Sequence, residues 1–71
     1  MAGIGMMNGN NVRKIREDRL ISKMELARLS RVSSATIDRI ERGDPCRMET
    51  KRKIILALGF TVEDKHNVFP D

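Results

Sequence analysis

The sequence predicts an all-α fold, a compact cluster of four to five short helices in one small domain. Apolar residues recur at helical rather than alternating spacing from Val12 to Leu58, and helix-starting and helix-stopping residues bracket each run. At 71 residues the chain has room for one core and not two. With two Phe and no Trp or Tyr, that core must come from Leu, Ile, Val, Met and Ala. Modest stability follows, with no room for a deep substrate or cofactor pocket.

Helix 1 is expected over residues 11–19, capped by Asn10 or Asn11, with Val12 and Ile15 inward and Arg13, Lys14 and Glu17 outward. Helix 2 is expected over residues 23–29, because Ser22 is a good N-cap and Glu25 completes an S-x-x-E capping box. Ser33 opens the next helix, residues 34–42, and Gly43 ends it. Leu26 and Ala27 on one helix and Ile37 and Ile40 on the other form two narrow buried faces, with Val32 plugging the turn between them. The second of these helices carries small polar and basic side chains, so residues 22–43 have the layout of a DNA-reading helix-turn-helix.

Asp44-Pro45-Cys46 reads as a loop, since Pro lacks a backbone N–H and its predecessor avoids the helical region. Helix 4 is expected over residues 48–58, with Met48, Ile54, Ile55 and Leu58 inward, Leu56 outward and Gly59 as the stop. Thr61, followed by Glu63 and Asp64, predicts a short fifth helix or single turn over residues 61–64. Val68 and Phe69 are then expected to fold back over the cluster before Pro70 ends it. Residues 1–9 are expected to be a disordered arm, or a remnant ahead of a native start at Met6 or Met7; the domain occupies residues 10–71.

The formal net charge is +4, and its distribution says more than its size. Residues 11–60 hold 13 Lys and Arg against 7 Asp and Glu, whereas residues 61–71 hold one Lys against three acids. The basic charge therefore belongs to the helical cluster, where a phosphate backbone would be attracted. Ordinary solvated helix surface has a similar composition, with 34% charged residues, so charge alone does not select nucleic acid. One cysteine excludes an internal disulfide, no Cys/His cluster suggests a metal, and Cys46 and His66 read as incidental. No apolar run approaches a membrane span and the N-terminus lacks a signal peptide's pattern, so a cytoplasmic protein is expected. No nucleophile, base and acid set and no phosphate loop is present, which argues against an enzyme.

The block Val12-x-x-Ile15-Arg16-x-x-Arg19-x-Ile21-Ser22-Lys23-x-Glu25-Leu26-Ala27, followed by Val32-Ser33-x-x-Thr36-Ile37-x-x-Ile40-Glu41-x-Gly43, resembles the DNA-binding domain of phage Cro and C1 repressors and their bacterial Xre-type relatives. The resemblance continues through Leu58-Gly59-Phe60 and covers roughly residues 11–64. It implies a lambda-repressor-like fold, with the helix-turn-helix as helices 2 and 3. The chain departs from the pattern at Leu20 and Arg31, where the family usually has Gly, and at positive φ each would cost about 1 kcal/mol. Slightly reshaped turns are therefore expected. Lys23 replaces a frequent Gln, Lys51 a usual apolar residue and Leu56 a usual polar one, and the loop at residues 44–46 is about a residue short.

By the same resemblance, base-reading positions map onto Ser34, Ala35 and Arg39, with Thr36 and Asp38 at the margin. Arg39 can grip O6 and N7 of a guanine, Ala35 can meet a thymine methyl, and Asp38 can accept from a cytosine amine. Phosphate anchoring maps onto Lys23, Ser33, Arg42, Arg47 and Arg31. Arg16 and Glu41 are implied to form an ion pair tying helix 1 to the end of the reading helix. The function implied is a transcriptional regulator, a repressor in the leading reading, that binds double-stranded DNA as a homodimer at a palindromic site without cofactor or metal. Two readings stay open beside it: an antitoxin-type autoregulator with a protein partner, and a protein-interaction module on the same fold.

Overall fold

Each helix in the central stretch starts on a hydroxyl. The computed structural model describes residues 9–70, so the expected N-terminal arm falls outside the described residues except for Gly9. Ser22 Oγ accepts from Glu25 N at 3.0 Å to open α2 (Lys23–Ser30), and Ser33 Oγ accepts from Thr36 N at 3.1 Å to open α3 (Ser34–Glu41). Only half of the capping box expected at Ser22 forms, because the Glu25 carboxylate turns forward to Arg28 Nη2, one turn along the exposed face. The remaining helices are α1 (Val12–Asp18), α4 (Met48–Ala57) and α5 (Lys65–Val68), the last continuing directly from a 3-10 turn at Val62–Asp64. Every regular element among the described residues is helical, within a body of 32 × 23 × 22 Å.

Helices α1 to α4 all end in the same way. The first residue after α2, and the second after α1, α3 and α4, takes left-handed φ, its N–H bonds three residues back, and the next N–H bonds five residues back, as in a Schellman motif. The pairs are Leu20 N to Glu17 O with Ile21 N to Arg16 O, Arg31 N to Arg28 O with Val32 N to Ala27 O, Gly43 N to Ile40 O with Asp44 N to Arg39 O, and Gly59 N to Leu56 O with Phe60 N to Ile55 O. Glycine makes this turn easily at positions 43 and 59; Leu20 (φ 57°) and Arg31 (φ 61°) make it at a steric cost. Both nevertheless keep left-handed φ, each turn being held by two backbone hydrogen bonds and by the half-buried apolar residue that follows, Ile21 or Val32. Leu20→Gly, at a side chain that is 93% exposed, is accordingly expected to stabilise the fold by about 0.5–1 kcal/mol, and Arg31→Gly by a similar amount. Thermal unfolding reads this as a rise of about 2–8 °C per variant.

The core is one cluster. Val12, Leu26, Ile37, Ile40, Ile54, Leu58 and Val68 are fully buried, with Ile15, Ile21, Val32, Cys46 and Phe60 packed around them. Burial of each large aliphatic side chain contributes about 1.5–3 kcal/mol, which is how short helices of low intrinsic stability persist. α2 packs on both α3 and α4, α1 lies on α3, and the 3-10 turn and α5 pack on α4. Two asparagines close the ring: Asn10 Nδ2 donates to Ile40 O at 2.7 Å while its Oδ1 accepts from Val12 N, and Asn11 N donates to Val68 O at 2.8 Å. The start of α1 is thereby tied to the ends of α3 and α5.

Two expectations are corrected. Met48 is 84% exposed instead of inward, because the first turn of α4 projects past the edge of the core. The fifth helix runs on to Val68 instead of ending at Asp64, and this extension carries Val68 and Phe69 into the core. As expected, Phe69 covers the core and Leu56 faces outward, while Phe60 is half-buried under the Arg19 guanidinium. Lys51 lays its ammonium over the Phe69 ring, 5.5 Å from the centroid, while the residue stays half-buried.

Candidate nucleic-acid interface

α3 presents one face to solvent, and its sequence decides what that face holds. Ile37 and Ile40 turn inward, so Ser34, Ala35 and Arg39 are left exposed on the opposite side. Arg39 has no side-chain hydrogen-bond or ion-pair partner among the described residues. Its five N–H donors point toward solvent, where only water or a ligand can use them. Arg39 and Arg47 line one open groove of about 540 Å³ between α3 and the loop at residues 44–47, together with Thr36, Asp44 and Thr50. Arg31, in the turn before α3, and Arg47, at the N-cap of α4, are likewise exposed and unpaired among the described residues.

The other expected contact residues are engaged within the chain. Ser33 Oγ caps α3 and lies 2.9 Å from Thr36 Oγ1, and Thr36 is half-buried. Lys23 Nζ donates to Asp38 Oδ1 at 2.6 Å, and Arg42 Nη2 donates to the other oxygen, Asp38 Oδ2. One carboxylate on α3 therefore faces two cations, one from the first residue of α2 and one from the residue that follows α3. The Lys23 bond, followed by the Arg42 bond, holds the Asp38 carboxyl below the usual aspartate range. Because the folded pKa is depressed, any stabilisation from this cluster is complete above the ordinary aspartate pKa and is lost as pH falls through the lowered folded value.

Behind this face lies a buried ion pair. Arg16 Nε donates to Glu41 Oε2 at 2.7 Å and Nη2 to Oε1 at 3.2 Å, while Nη1 donates to Ile21 O at 2.8 Å. The fork is nearly filled, and both residues are less than 8% exposed. The Glu41 carboxylate, chiefly through its hydrogen bond, raises the Arg16 pKa, so the guanidinium stays charged. The pair links α1 to the last residue of α3 and fixes the angle at which α3 is presented.

Nothing local in the sequence foreshadows the Lys23–Asp38 contact. The i, i+4 spacing of Asp38 and Arg42 was a visible signal for half of the cluster, but Lys23 reaches it only through the packing of α2 on α3. No group of three His, Cys, Asp or Glu is placed to hold a metal ion among the described residues, and burial pushes the Cys46 thiol pKa up. No helix among them is long and apolar enough to cross a membrane. Comparison of the chain with known protein families, with curated proteins and with solved structures finds no match.

Proposed function

We propose that the protein is a sequence-specific double-stranded DNA-binding regulator of the Cro and C1 repressor kind, which represses by occupying a palindromic operator through the major groove. The observation that carries the reading is the exposed face of α3: two small side chains, Ser34 and Ala35, and the guanidinium of Arg39, flanked by Arg31 and Arg47, three cations without a partner among the described residues. An α-helix fits the major groove, small residues let its backbone approach the base edges, and flanking cations meet the phosphates on the groove walls. α2 and α3, joined by a tight turn at residues 31–33, act as the helix-turn-helix, with α3 as the reading helix. A homodimer doubles the contact surface, and no cofactor is required.

Selection of bound sequences from a random duplex pool tests this. The expected outcome is enrichment of two inverted half-sites about 10 base pairs apart, centre to centre. A pool that stays random after selection overturns the reading.

Arg47 provides a second test, because it occupies an N-cap position without forming a side-chain cap. Arg47→Ser is expected to stabilise α4 by about 1 kcal/mol while weakening every duplex by a similar factor. Thermal unfolding and duplex titration of the same variant check both halves. Unchanged affinity would remove Arg47 from the phosphate-binding set.

A further inference from the structure

Among the cations placed around α3, Lys23 and Arg42 differ from Arg31, Arg39 and Arg47 in one respect: both are bound to the same carboxylate. Lys23 Nζ takes Asp38 Oδ1 at 2.6 Å and Arg42 takes Oδ2, so neither oxygen is left without a charged donor. The cluster is at the surface, with Asp38's side chain 31% and Lys23's 43% exposed, which puts it within reach of an approaching phosphate. Asp38 stands on the exposed side of the reading helix, one residue before Arg39. A phosphate that approaches Lys23 or Arg42 therefore meets a competing anion already in contact with the cation.

We propose that Asp38 is an internal counter-ion that holds Lys23 and Arg42 away from the phosphates of non-operator DNA, and so restrains non-specific binding. This rests on the DNA-binding reading. Non-specific affinity is set by how many cations neutralise phosphates, and a cation that already has a carboxylate contributes less to that number. On an operator, contacts from Ser34, Ala35 and Arg39 seat α3 in the groove and bring a phosphate against the first turn of α2. Its N–H groups and the Lys23 ammonium then converge on that phosphate, which competes with Asp38 for the cation. A loosely held, non-operator duplex lacks that geometry, and both cations stay with Asp38.

The test compares the full chain with its Asp38→Asn and Asp38→Ala variants on a mixed-sequence duplex, by fluorescence anisotropy over a range of salt concentrations. At about 0.1 M salt both variants should bind roughly five- to tenfold more tightly than the parent for each cation set free, with the log–log salt slope steeper by about 0.9 per cation. Adding Lys23→Met to Asp38→Asn should remove a large part of the gain. Lower stability with unchanged affinity and slope would make the cluster a strut between α2 and α3 and overturn the inference. Weaker binding by folded variants would also overturn it, since Asp38 would then be positioning the cations for phosphate. If neither parent nor variants bind any duplex at low salt, the DNA-binding reading fails and this inference with it; equal binding with equal slopes defeats the role of Asp38 alone.

Discussion

Glu41→Ala is expected to lower the unfolding free energy by about 3–5 kcal/mol, because it leaves the buried Arg16 guanidinium with the Ile21 carbonyl as its hydrogen-bond acceptor and only the half-exposed Glu17 carboxylate, 3.9 Å away, as a counter-charge. Such a loss approaches the whole stability of a marginal domain, about 5 kcal/mol at the low end. The midpoint of thermal unfolding should fall by at least about 12 °C, and much of the variant should be unfolded near physiological temperature. Arg16→Ala should behave similarly, since it leaves the Glu41 carboxylate buried without its fork. The double variant Arg16→Met with Glu41→Leu separates the pair's net contribution from the cost of breaking it. Replacing both charges by apolar groups is often neutral or stabilising, so most of the loss should be recovered. Circular dichroism melts of the three variants decide the matter. A loss below about 1 kcal/mol for Glu41→Ala would mean that the pair does not hold α1 against α3. Reduced DNA binding by either single variant is expected as a consequence of unfolding, and is not a sign of direct contact.

Arg39→Ala is expected to have the largest effect on recognition. The side chain is exposed, has no partner among the described residues and lines the groove shared with Arg47. A bidentate guanidinium contact to a guanine is worth about 1–3 kcal/mol of discrimination, so the variant should lose roughly 5- to 150-fold in preference at one base pair per half-site. Other positions of the operator should keep their preference. Lys23→Ala should instead weaken the operator and its single-base variants by about the same factor, because a phosphate contact carries no sequence information. Affinities measured on an operator and its single-base variants separate the two patterns. If Arg39→Ala weakens every duplex equally, Arg39 is a phosphate contact and the base reading passes to Ser34 and Ala35.

Short-range chemistry is what the sequence made legible. Ser22 and Ser33 announce their helices because an N-cap acts within three residues, and Gly43 and Gly59 announce the ends because the left-handed turn suits them. The buried faces of α2 and α3 follow from the spacing of Leu26, Ala27, Ile37 and Ile40. Leu20 and Arg31 were harder, since local preference argues against left-handed φ there. The backbone hydrogen bonds of the helix end outweigh a cost of about 1 kcal/mol. Met48 misled because helical periodicity identifies a face without showing where the core beneath it stops. The clasp from Asn10 and Asn11 to Ile40, Asn67 and Val68 joins the two ends of the domain, and no local rule foreshadows it. For the site, exposure of Ser34, Ala35 and Arg39 followed from helix geometry. The capture of Lys23 by Asp38 depended on how α2 meets α3.

The most direct test of DNA binding through this basic surface is the affinity of the unmodified protein for duplex DNA across salt concentration. If Arg31 and Arg47, which have no partner among the described residues, each meet a phosphate, a dimer would make four phosphate contacts. Log affinity should then fall linearly with log salt at a slope of about −3.6 or steeper, a loss of at least about 100-fold between about 50 and 200 mM. No binding at the lowest salt, or an affinity indifferent to salt, would contradict the account.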